Sequence, residues 1–349
     1  MKHRTESGIR TVGELVARGL AQAGDAATLD AVVGDLSLAI TPDLIAAMQP
    51  GDALARQFVP SARELEVTPE ELGDPVGDHA HEAVKGIVHR YPDRVLLKPV
   101  PICPVYCRFC FRREQVGRTE ERLNEAELGN ALDYIRGHGE IWEVILTGGD
   151  PLTLSDRRLR ALFQALHAIP HVQVIRVHTR YPVAQPKRIT AALANAMRGR
   201  AAVYVVVHCN HPRELTEASR EACGRLIDRG IPMLSQSVLL RGVNDDAGTL
   251  EQLMRLLVAS RIKPYYLHHL DLARGTGHFR TSIAEGQALM RALRGRVSGL
   301  CQPVYVLDIP SGHGKVPIGP GYLEGDGDYT VEDFRGARHR YHDPAAPRR

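Results

Sequence analysis

The sequence predicts an α/β fold built on a parallel β-sheet and preceded by a helical N-terminal region. Two observations support this prediction. From Arg94 onward, short runs of β-branched residues alternate with longer amphipathic segments in six successive strand–helix pairs. Several short runs, such as VYVVV at 203–207, are continuously apolar, which is typical of parallel strands buried on both faces. A barrel, a partial barrel and a doubly wound sheet share this pattern, so periodicity alone leaves the choice open.

Residues 1–85 are expected to form the helical N-terminal region. Residues 12–23 carry apolar side chains at helical spacing, and Thr41-Pro42-Asp43 is typical of a helix start. Residues 65–81 are acidic and rich in proline and glycine, and we interpret them as a domain boundary or surface connection.

Residues 86–300 are expected to form the parallel unit. Its strands are predicted at residues 95–99, 142–147, 172–178, 202–208, 232–239 and 263–267. Its helices are predicted at residues 124–137, 155–168, 187–199, 212–229, 247–260 and 282–296. In the C-terminal segment, residues 301–349, a further strand is predicted at 304–307. The basic, His- and Pro-rich tail from Gly336 is expected to be loose.

Composition excludes several classes of protein. With 44% hydrophobic and 24% charged residues, the chain is neither disordered nor collagen-like. A net charge of +3 is too small to indicate nucleic-acid binding. No apolar run has the length of a membrane span, and the first residues lack a signal-peptide core. We therefore expect a cytoplasmic protein without nucleic-acid or membrane partners.

Three of the six cysteines lie within eight residues, directly after the first predicted strand, with C-x₃-C-x₂-C spacing: Cys103, Cys107 and Cys110. Three thiolates on one loop can bind a [4Fe–4S] cluster and leave one iron without a protein ligand. That iron can chelate S-adenosylmethionine (SAM), and electron transfer into the sulfonium then yields a 5′-deoxyadenosyl radical. The spacing, with Phe109 before the third cysteine, resembles the signature of radical SAM enzymes.

Two other interpretations of these cysteines stay open. A zinc site would need a fourth ligand, usually from a second paired motif. Cys209, Cys223 and Cys301 are isolated and distant in sequence, and are expected to be core residues. Three ordinary buried thiols at this spacing would be a coincidence.

Two further motifs follow predicted strands. In LTGGDPL, Gly148 and Gly149 permit close backbone approach, here to the methionine amino group of SAM, although GGDP is also a common turn. Lys315 lies in the loop PSGHGK, where a lysine could hold pyridoxal phosphate (PLP). Exposed lysines beside glycines are common, so this signal is weak in isolation. The spacing of a phosphate-binding P-loop is absent.

Together the motifs resemble the lysine 2,3-aminomutase family of radical SAM enzymes. CPVYCRFCFRR, LTGGDPL, LSQSVLLRGVNDD, PYYLHHLD and DIPSGHGKVPIGP occur in the family's order across residues 85–325. The resemblance implies a partial (β/α)₆ barrel. It also implies an isomerase that converts L-lysine into β-lysine by radical 1,2-amino migration, using a [4Fe–4S] cluster, SAM and PLP.

The resemblance also implies roles for individual residues. Lys315 would bind PLP as an imine, and the cofactor's ring and phosphate would lie near Arg90, Tyr91 and Arg94. SAM would contact Gly148, Gly149, Asp150, His208 and Gln236. The last two are polar residues at strand ends, which could instead only hydrogen-bond a loop, and the two arginines near PLP could instead be surface ion-pairing residues.

The implied substrate contacts are carried by three charged residues. Arg112 would pair with the substrate carboxylate, as a guanidinium does bidentately. Asp271 and Asp308 would hold the ε-ammonium of lysine. Such an acidic pair would disfavour a glutamate side chain, and it would also suit the guanidinium of arginine.

Three alternative functions stay open: β-lysine formation for modification of elongation factor P, an aminomutase for another basic amino acid such as arginine, and a non-catalytic zinc-binding regulatory barrel. The resemblance also implies an electron donor such as flavodoxin or ferredoxin. The best-known members carry a cysteine-bearing C-terminal extension that binds zinc between subunits. Because Asp246 stands at the position that would complete that zinc site, a homo-oligomer is expected to lack interfacial zinc.

Overall fold

We describe the fold from a computed structural model of the chain, which defines residues 7–345. Ten strands form one sheet in chain order. They are β1 (Glu82–Val84), β2 (Ile87–Tyr91), β3 (Arg94–Val100), β4 (Glu143–Gly148), β5 (Val174–Thr179), β6 (Ala202–His208), β7 (Met233–Val238), β8 (Ile262–His268), β9 (Val304–Ile309) and β10 (Gly314–Pro317). Strands β3 to β9 are parallel, whereas β1 and β2 at one edge and β10 at the other are antiparallel. Within the described range β1 and β10 do not pair, so the sheet is an open, partial barrel.

Helices cover the outside of the sheet between the parallel strands. They are α5 (Glu125–Gly137), α6 (Asp156–His167), α7 (Tyr181–Ala184), α8 (Ala191–Met197), α9 (Glu217–Ile227), α10 (Ala247–Ala259) and α11 (Ile283–Leu293). Helix α6 shows how the sequence specifies them. Its N-cap Ser155 accepts a hydrogen bond from the Arg158 N–H, and four apolar residues at helical spacing (159, 162, 163 and 166) are buried in the main core.

Four short helices form the N-terminal region: α1 (Val12–Ala17), α2 (Ala26–Asp35), α3 (Pro42–Ala47) and α4 (Ala53–Phe58). Its separate hydrophobic core includes Ile9, Leu15 and Phe58. Two barrel-side residues, Val105 in the cysteine loop and Ala184 in α7, belong to the same core. The N-terminal region is therefore packed directly against the loop that carries the cysteines.

The sequence predicts a domain boundary or surface connection at residues 65–81. A surface position is wrong for residues 71–81, several of which are buried. Residues 71–81, which we call the strap, cross from the N-terminal region to the loop after β8. The Leu72 N–H donates to the Leu272 carbonyl, and the buried Glu71 carboxylate accepts from the Gly275 N–H at 2.8 Å. Asp78 is 1% exposed. Buried acidic residues in this strap are possible because each has a polar partner in the barrel.

The expectation of a loose tail from Gly336 is also wrong within the described range. Strands β11 (Leu323–Asp326), β12 (Asp328–Glu332) and β13 (Arg338–His342) form a separate antiparallel sheet. Its strands are largely exposed, with Arg338 paired to Glu324 across the sheet. Cross-strand charge pairs and backbone ladders, rather than apolar burial, hold this sheet together.

The predicted strands and helices of the parallel unit are confirmed with small shifts at their ends. The bounds predicted for β6 match, whereas β5 begins two residues later than predicted. Helices α8 and α9 start late because 3₁₀ turns, Pro186–Arg188 and Pro212–Glu214, precede them. Strands β1, β2 and β10 were not predicted. No helix in residues 7–345 is long and apolar enough to cross a membrane.

Candidate functional site

A cavity of about 620 Å³ lies on the inner face of the sheet. Eight residues singled out from the sequence line it together: Arg90, Tyr91, Arg94, Arg112, Gln236, Asp271, Asp308 and Lys315. They are widely separated in the sequence and come from six strands or the loops that follow them. Parallel strands place their carboxyl ends at one rim, which is where this fold class builds its sites.

A β-hairpin places Lys315 beside Asp308. Strands β9 and β10 are antiparallel, and Lys315 stands directly opposite Asp308 in their register. The Lys315 ammonium donates a short hydrogen bond to Asp308 Oδ2. Burial acts to raise the pKa of Asp308, but hydrogen bonds and charge from His268 and Lys315 hold it well below its ordinary value. Asp308 is therefore ionised and ready to hold a cation.

His268, the last residue of β8, joins this pair. Its Nδ1 lies 3.2 Å from Asp308 Oδ2 and 3.5 Å from Lys315 Nζ. Burial and the neighbouring Lys315 charge lower the pKa of His268. Its Nε2 is buried without a hydrogen-bond partner among residues 7–345. A neutral imidazole with one free nitrogen thus faces the cavity, and sequence reasoning missed it.

Asp271 supplies a second carboxylate in the same cavity. Burial, and then the negative charge of Asp308, raise its pKa to about 7, against the opposing effect of Lys315 and Arg112. Two buried carboxylates that repel each other favour occupation of the cavity by a cation, because a positive group offsets both the repulsion and the cost of desolvation.

Arg112 is held by Asp78 of the strap. The Arg112 Nε donates to Asp78 Oδ2 at 2.7 Å, and its Nη1 lies 3.4 Å from Thr147 Oγ1. The Nη2 atom has no hydrogen-bond partner among residues 7–345, so one edge of the guanidinium can receive a ligand. Asp78 is buried, which acts to raise its pKa, but Arg112 and other cations hold that pKa below its ordinary value.

Arg90 also faces Asp78, with 3.6 Å between Arg90 Nη2 and Asp78 Oδ1. Arg90 Nε and Asp78 Oδ1 are buried atoms without hydrogen-bond partners within the described residues. Arg94 lies over the ring of Tyr91, with its Cζ 3.9 Å from the ring centroid. The Tyr91 hydroxyl accepts a hydrogen bond from the Lys315 N–H at 2.9 Å. Strand β2 and the start of β3 therefore present two guanidiniums and a phenol next to the lysine loop.

The three cysteines lie on the loop between β3 and α5, beside this cavity. All three are half-buried and free of disulfides. Burial and the neighbouring Cys107 together raise the pKa of the Cys110 thiol to about 11, against the opposing effect of Arg112. Burial and the charges of Asp150, Cys110 and Cys107 likewise raise the pKa of Cys103. The charges of the three thiols thus act on one another, and their binding of a shared cluster stays a prediction.

Gly148 and Gly149 bring the end of β4 against the start of this loop. Gly148 has φ +103°. A Cβ on Gly149 would lie 2.5 Å from the backbone nitrogen of Ile102. The Gly149 N–H donates to the Val100 carbonyl and the Asp150 N–H to the Ile102 carbonyl. The glycines are needed for this contact between two chain segments, whatever ligand lies beyond them.

The carboxylate of Asp150 is occupied within the protein. It accepts hydrogen bonds from the Thr179 hydroxyl at 2.9 Å and the Arg180 N–H at 2.7 Å. Burial raises the pKa of Asp150 to about 6, and these hydrogen bonds oppose the rise. Asp150 thus ties the end of β4 to the end of β5, and its contact with SAM stays a prediction.

His208 and Gln236 end up in different places. Gln236 lines the cavity, with its Nε2 3.5 Å from His178 Nδ1. His208 does not line it, and instead packs its ring 5.7 Å from that of Phe109 in the cysteine loop. His208 Nε2 is buried without a partner among residues 7–345, and burial lowers the pKa of this histidine well below its ordinary value.

The sequence analysis missed four polar residues that the site uses: Asp78, His178, His268 and Arg180. His268 lies inside the motif PYYLHHLD, and Arg180 lies two residues after the strand predicted at 172–178. No sequence motif marked Asp78 as a site residue, because its partner Arg112 lies 34 residues further along the chain. An acidic residue in a Pro- and Gly-rich stretch is ordinarily solvent-exposed.

Comparison with known proteins agrees with these motifs. The sequence model of the radical SAM superfamily matches residues 97–257, and that of lysine-2,3-aminomutase matches residues 290–347. The L-lysine 2,3-aminomutase of Clostridium subterminale is 40% identical over 317 residues, which cover 89% of this chain and 76% of that protein. The L-lysine 2,3-aminomutase of Escherichia coli strain K12 is 39% identical, covering 77% of this chain and 78% of that protein.

The relatives also include a protein named for a different substrate. The glutamate 2,3-aminomutase of Clostridioides difficile is 38% identical over 297 residues, which cover 84% of this chain and 70% of that protein. Overall identity therefore does not distinguish a cationic from an anionic substrate side chain, and that distinction depends on the charged residues of the cavity.

Proposed function

This chain belongs to the lysine 2,3-aminomutase family of radical SAM enzymes, and from this we propose that it is an isomerase that converts L-lysine into β-lysine. The observation that carries the substrate assignment is the carboxylate pair Asp271 and Asp308, which lines the same cavity as Arg112 and Lys315. The side-chain carboxylate of glutamate would add a third negative charge beside this pair, whereas an ammonium compensates both.

The donor sets in the structure fit the three cofactors of the family. Cys103, Cys107 and Cys110 are neighbouring free thiols that would hold the [4Fe–4S] cluster. SAM would lie near Gly148, Gly149 and Asp150, which adjoin the start of this loop, and near His208, which packs against Phe109 in the loop. It would also reach Gln236, which lines the cavity. Lys315, Arg90, Tyr91 and Arg94 would hold PLP. Near them, Arg90 Nε and His268 Nε2 are buried polar atoms without a hydrogen-bond partner among residues 7–345, and a bound cofactor could supply one. When bound, the cluster and SAM supply a radical that abstracts hydrogen, and PLP supplies a conjugated ring that stabilises the substrate radical.

The protein's own part is to bind and orient the amino acid at its two ends. Arg112, oriented by Asp78 and Thr147, presents a guanidinium edge to the substrate carboxylate. Asp271 and Asp308 receive the side-chain ammonium. Held at both ends, the substrate's α- and β-carbons have a fixed place relative to Lys315, which is the positioning that an intramolecular migration needs.

Lys315 and the substrate ammonium compete for Asp308. In this structure the Lys315 ammonium occupies Asp308 Oδ2. If PLP were held at the Lys315 nitrogen, that nitrogen would no longer pair with Asp308, and Asp308 would be available to the substrate ammonium. His268, hydrogen-bonded to Asp308, holds that carboxylate in place during the exchange.

The proposal is tested by product analysis. Protein reconstituted without oxygen with iron, sulfide, PLP, SAM and a reductant is incubated separately with labelled L-lysine, L-arginine and L-glutamate, and the products are separated by chiral chromatography and mass spectrometry. Formation of labelled β-lysine, well above any β-arginine or β-glutamate, supports the proposal. Preferred turnover of arginine or glutamate, or turnover of none of them by protein that carries all three cofactors, contradicts it.

A further inference from the structure

Arg180 lies behind the cysteine loop and contacts one of its sulfur atoms. It directly follows β5, and 6% of its side chain is exposed. Its Nη1 donates a hydrogen bond to Cys107 Sγ at 2.9 Å. Within residues 7–345, Arg180 is the charged side chain that hydrogen-bonds a thiol of the cysteine loop.

The guanidinium is fixed in place from the opposite side. Its Nη2 donates to Glu214 Oε2 at 2.6 Å and to Gln57 Oε1 at 2.8 Å. The ring of Phe58 covers one face, with its centroid 4.7 Å from Arg180 Cζ. Arginine keeps its charge when buried, and here Glu214 supplies the counter-charge. A cation this constrained cannot turn away from the sulfur.

On the basis of the proposed function, we propose that Arg180 is a positioning residue that sets the reduction potential of the [4Fe–4S] cluster through Cys107. Reduction adds one electron from a low-potential donor to the cluster, with no bond made or broken at the sulfur. The reduced cluster carries one more negative charge, and a hydrogen bond and a positive charge at a ligand sulfur stabilise it. Arg180 therefore raises the potential and makes the cluster easier to reduce.

The neighbouring Glu214 is expected to act in the opposite direction. Its carboxylate is buried and pairs with the same guanidinium, so it offsets part of the positive charge near the cluster. Glu214→Gln keeps the size of the side chain and a hydrogen-bond acceptor but removes the negative charge. Removing the positive charge of Arg180 and removing the negative charge of Glu214 should thus move the reduction potential of the cluster in opposite directions. A general disturbance of the cysteine loop would not do this.

The test is a redox titration followed by electron paramagnetic resonance, on reconstituted protein without lysine. Arg180→Gln is expected to shift the midpoint potential to more negative values, Arg180→Lys to shift it less, and Glu214→Gln to shift it to more positive values. The matched control is Arg255→Gln, which removes an exposed arginine paired with Glu251, and it should leave the potential unchanged. Iron and sulfide content is measured for each variant to confirm that the cluster is intact.

Several results would overturn the inference. Unchanged potentials in Arg180→Gln and Glu214→Gln with intact clusters would show that Arg180 only anchors the N-terminal region. Shifts of both variants in the same direction would do so as well. If Arg180→Gln fails to fold, the sign of the Glu214→Gln shift alone decides. The two proposals can fail separately: opposite shifts without lysine turnover contradict the substrate assignment, whereas lysine turnover with unchanged potentials contradicts only the role of Arg180.

Discussion

Lys315 and Asp308 are directly opposed partners in the antiparallel register of β9 and β10, and their side chains form an ion pair. The six residues between them in the sequence are thus the hairpin turn, residues 310–313, and one strand position on each side. The amine proposed to hold the cofactor and the carboxylate proposed to hold the substrate are built on one hairpin. A shift of register in this hairpin would disrupt both functions together.

Asp308→Asn should weaken lysine binding strongly. The substitution removes the charge that holds the substrate ammonium but keeps the shape, and losing such a buried charged hydrogen bond costs about 2 kcal/mol or more, or about 30-fold in affinity. The measurement is the KM for lysine in the reconstituted enzyme. Asp133→Asn, which changes an exposed aspartate paired with Arg136, is the control and should leave KM unchanged. An unaltered KM in Asp308→Asn would mean that the ammonium binds elsewhere.

Lysine affinity should rise with pH around neutrality because of Asp271. Its pKa is raised to about 7, so the carboxyl is protonated below that pH and cannot pair with the ammonium. Ionisation on raising the pH through about 7 therefore strengthens binding. Binding is measured as a function of pH in wild type and in Asp271→Asn. The variant should bind more weakly and lose this step, and a step that persists in the variant would assign it to another group.

Asp271 should lower the free energy of unfolding as the pH rises, whereas it should increase lysine affinity. Because the folded-state pKa of Asp271 lies above that of an unfolded aspartate, the folded protein binds more protons between pH 4 and 7. Its contribution to the free energy of unfolding is therefore favourable at low pH and is lost as the pH rises through about 7. Asp271→Asn should gain stability relative to wild type as the pH is raised, measured by urea unfolding at pH 6 and 8.

Lys315→Ala should abolish covalent attachment of PLP. The protein is incubated with PLP, reduced with borohydride and digested, and the modified peptide is identified by mass spectrometry. The wild type should carry the cofactor on Lys315, and the variant should carry none in this loop. Lys85→Ala, which changes an exposed lysine paired with Glu127, serves as control and should retain the modification. If the Lys315→Ala variant carries as much PLP on a different lysine, the assignment of Lys315 is refuted.

Gly149→Ala should destabilise the protein. The added Cβ would lie 2.5 Å from the Ile102 backbone nitrogen, and backbone cannot move aside as a flexible side chain can. We expect a loss of about 1–3 kcal/mol in the free energy of unfolding. Gly129→Ala, in α5 with nothing within 4 Å of the new Cβ, should be neutral or stabilising by up to about 1 kcal/mol. Both are measured by denaturant unfolding, and equal stability of the two variants would contradict this account.

Glu64→Gln should be among the most damaging single changes outside the cavity. Glu64 accepts hydrogen bonds from Arg108 and Arg113, and all three residues are buried. Removing the carboxylate leaves two buried cations without a counter-charge, at a cost of about 3–5 kcal/mol. Urea unfolding measures the loss, with the exposed pair variant Glu251→Gln as control, expected to change stability by less than about 0.5 kcal/mol. If Glu64→Gln also changes stability by less than about 0.5 kcal/mol, the ion pairs of Glu64 with Arg108 and Arg113 do not hold the cysteine loop in place.

The parallel strands could be predicted because their apolar runs are a local property of the sequence. Ala202–His208 is almost wholly apolar and its bounds were predicted correctly. Strand β13 was missed because every residue in its sequence, RHRYH, is exposed, and no pattern separates an exposed strand from a polar tail. Strand β1, with three residues of which two are exposed, was too short to show a period.

The site was predictable where its residues lie within motifs, and not where a single residue joins it from afar. Lys315 and Asp308 share one motif, and the structure places them side by side. Asp78 and Arg180 each act through a partner that is distant in sequence, Arg112 in one case and Cys107 in the other. Such a pairing depends on packing between separate segments, which the order of residues along one chain does not display.

The strap has a consequence for how this enzyme could be recombined with its relatives. Because Asp78 of the strap is the partner of Arg112 in the barrel, the two residues have to be inherited together. A chimera joined at the start of the first parallel strand would combine one parent's arginine with another parent's strap. A segment that can be exchanged as a unit therefore includes the strap together with the barrel strands. It also includes Gln57 and Glu64, because their partners Arg180 and Arg108 lie in the barrel.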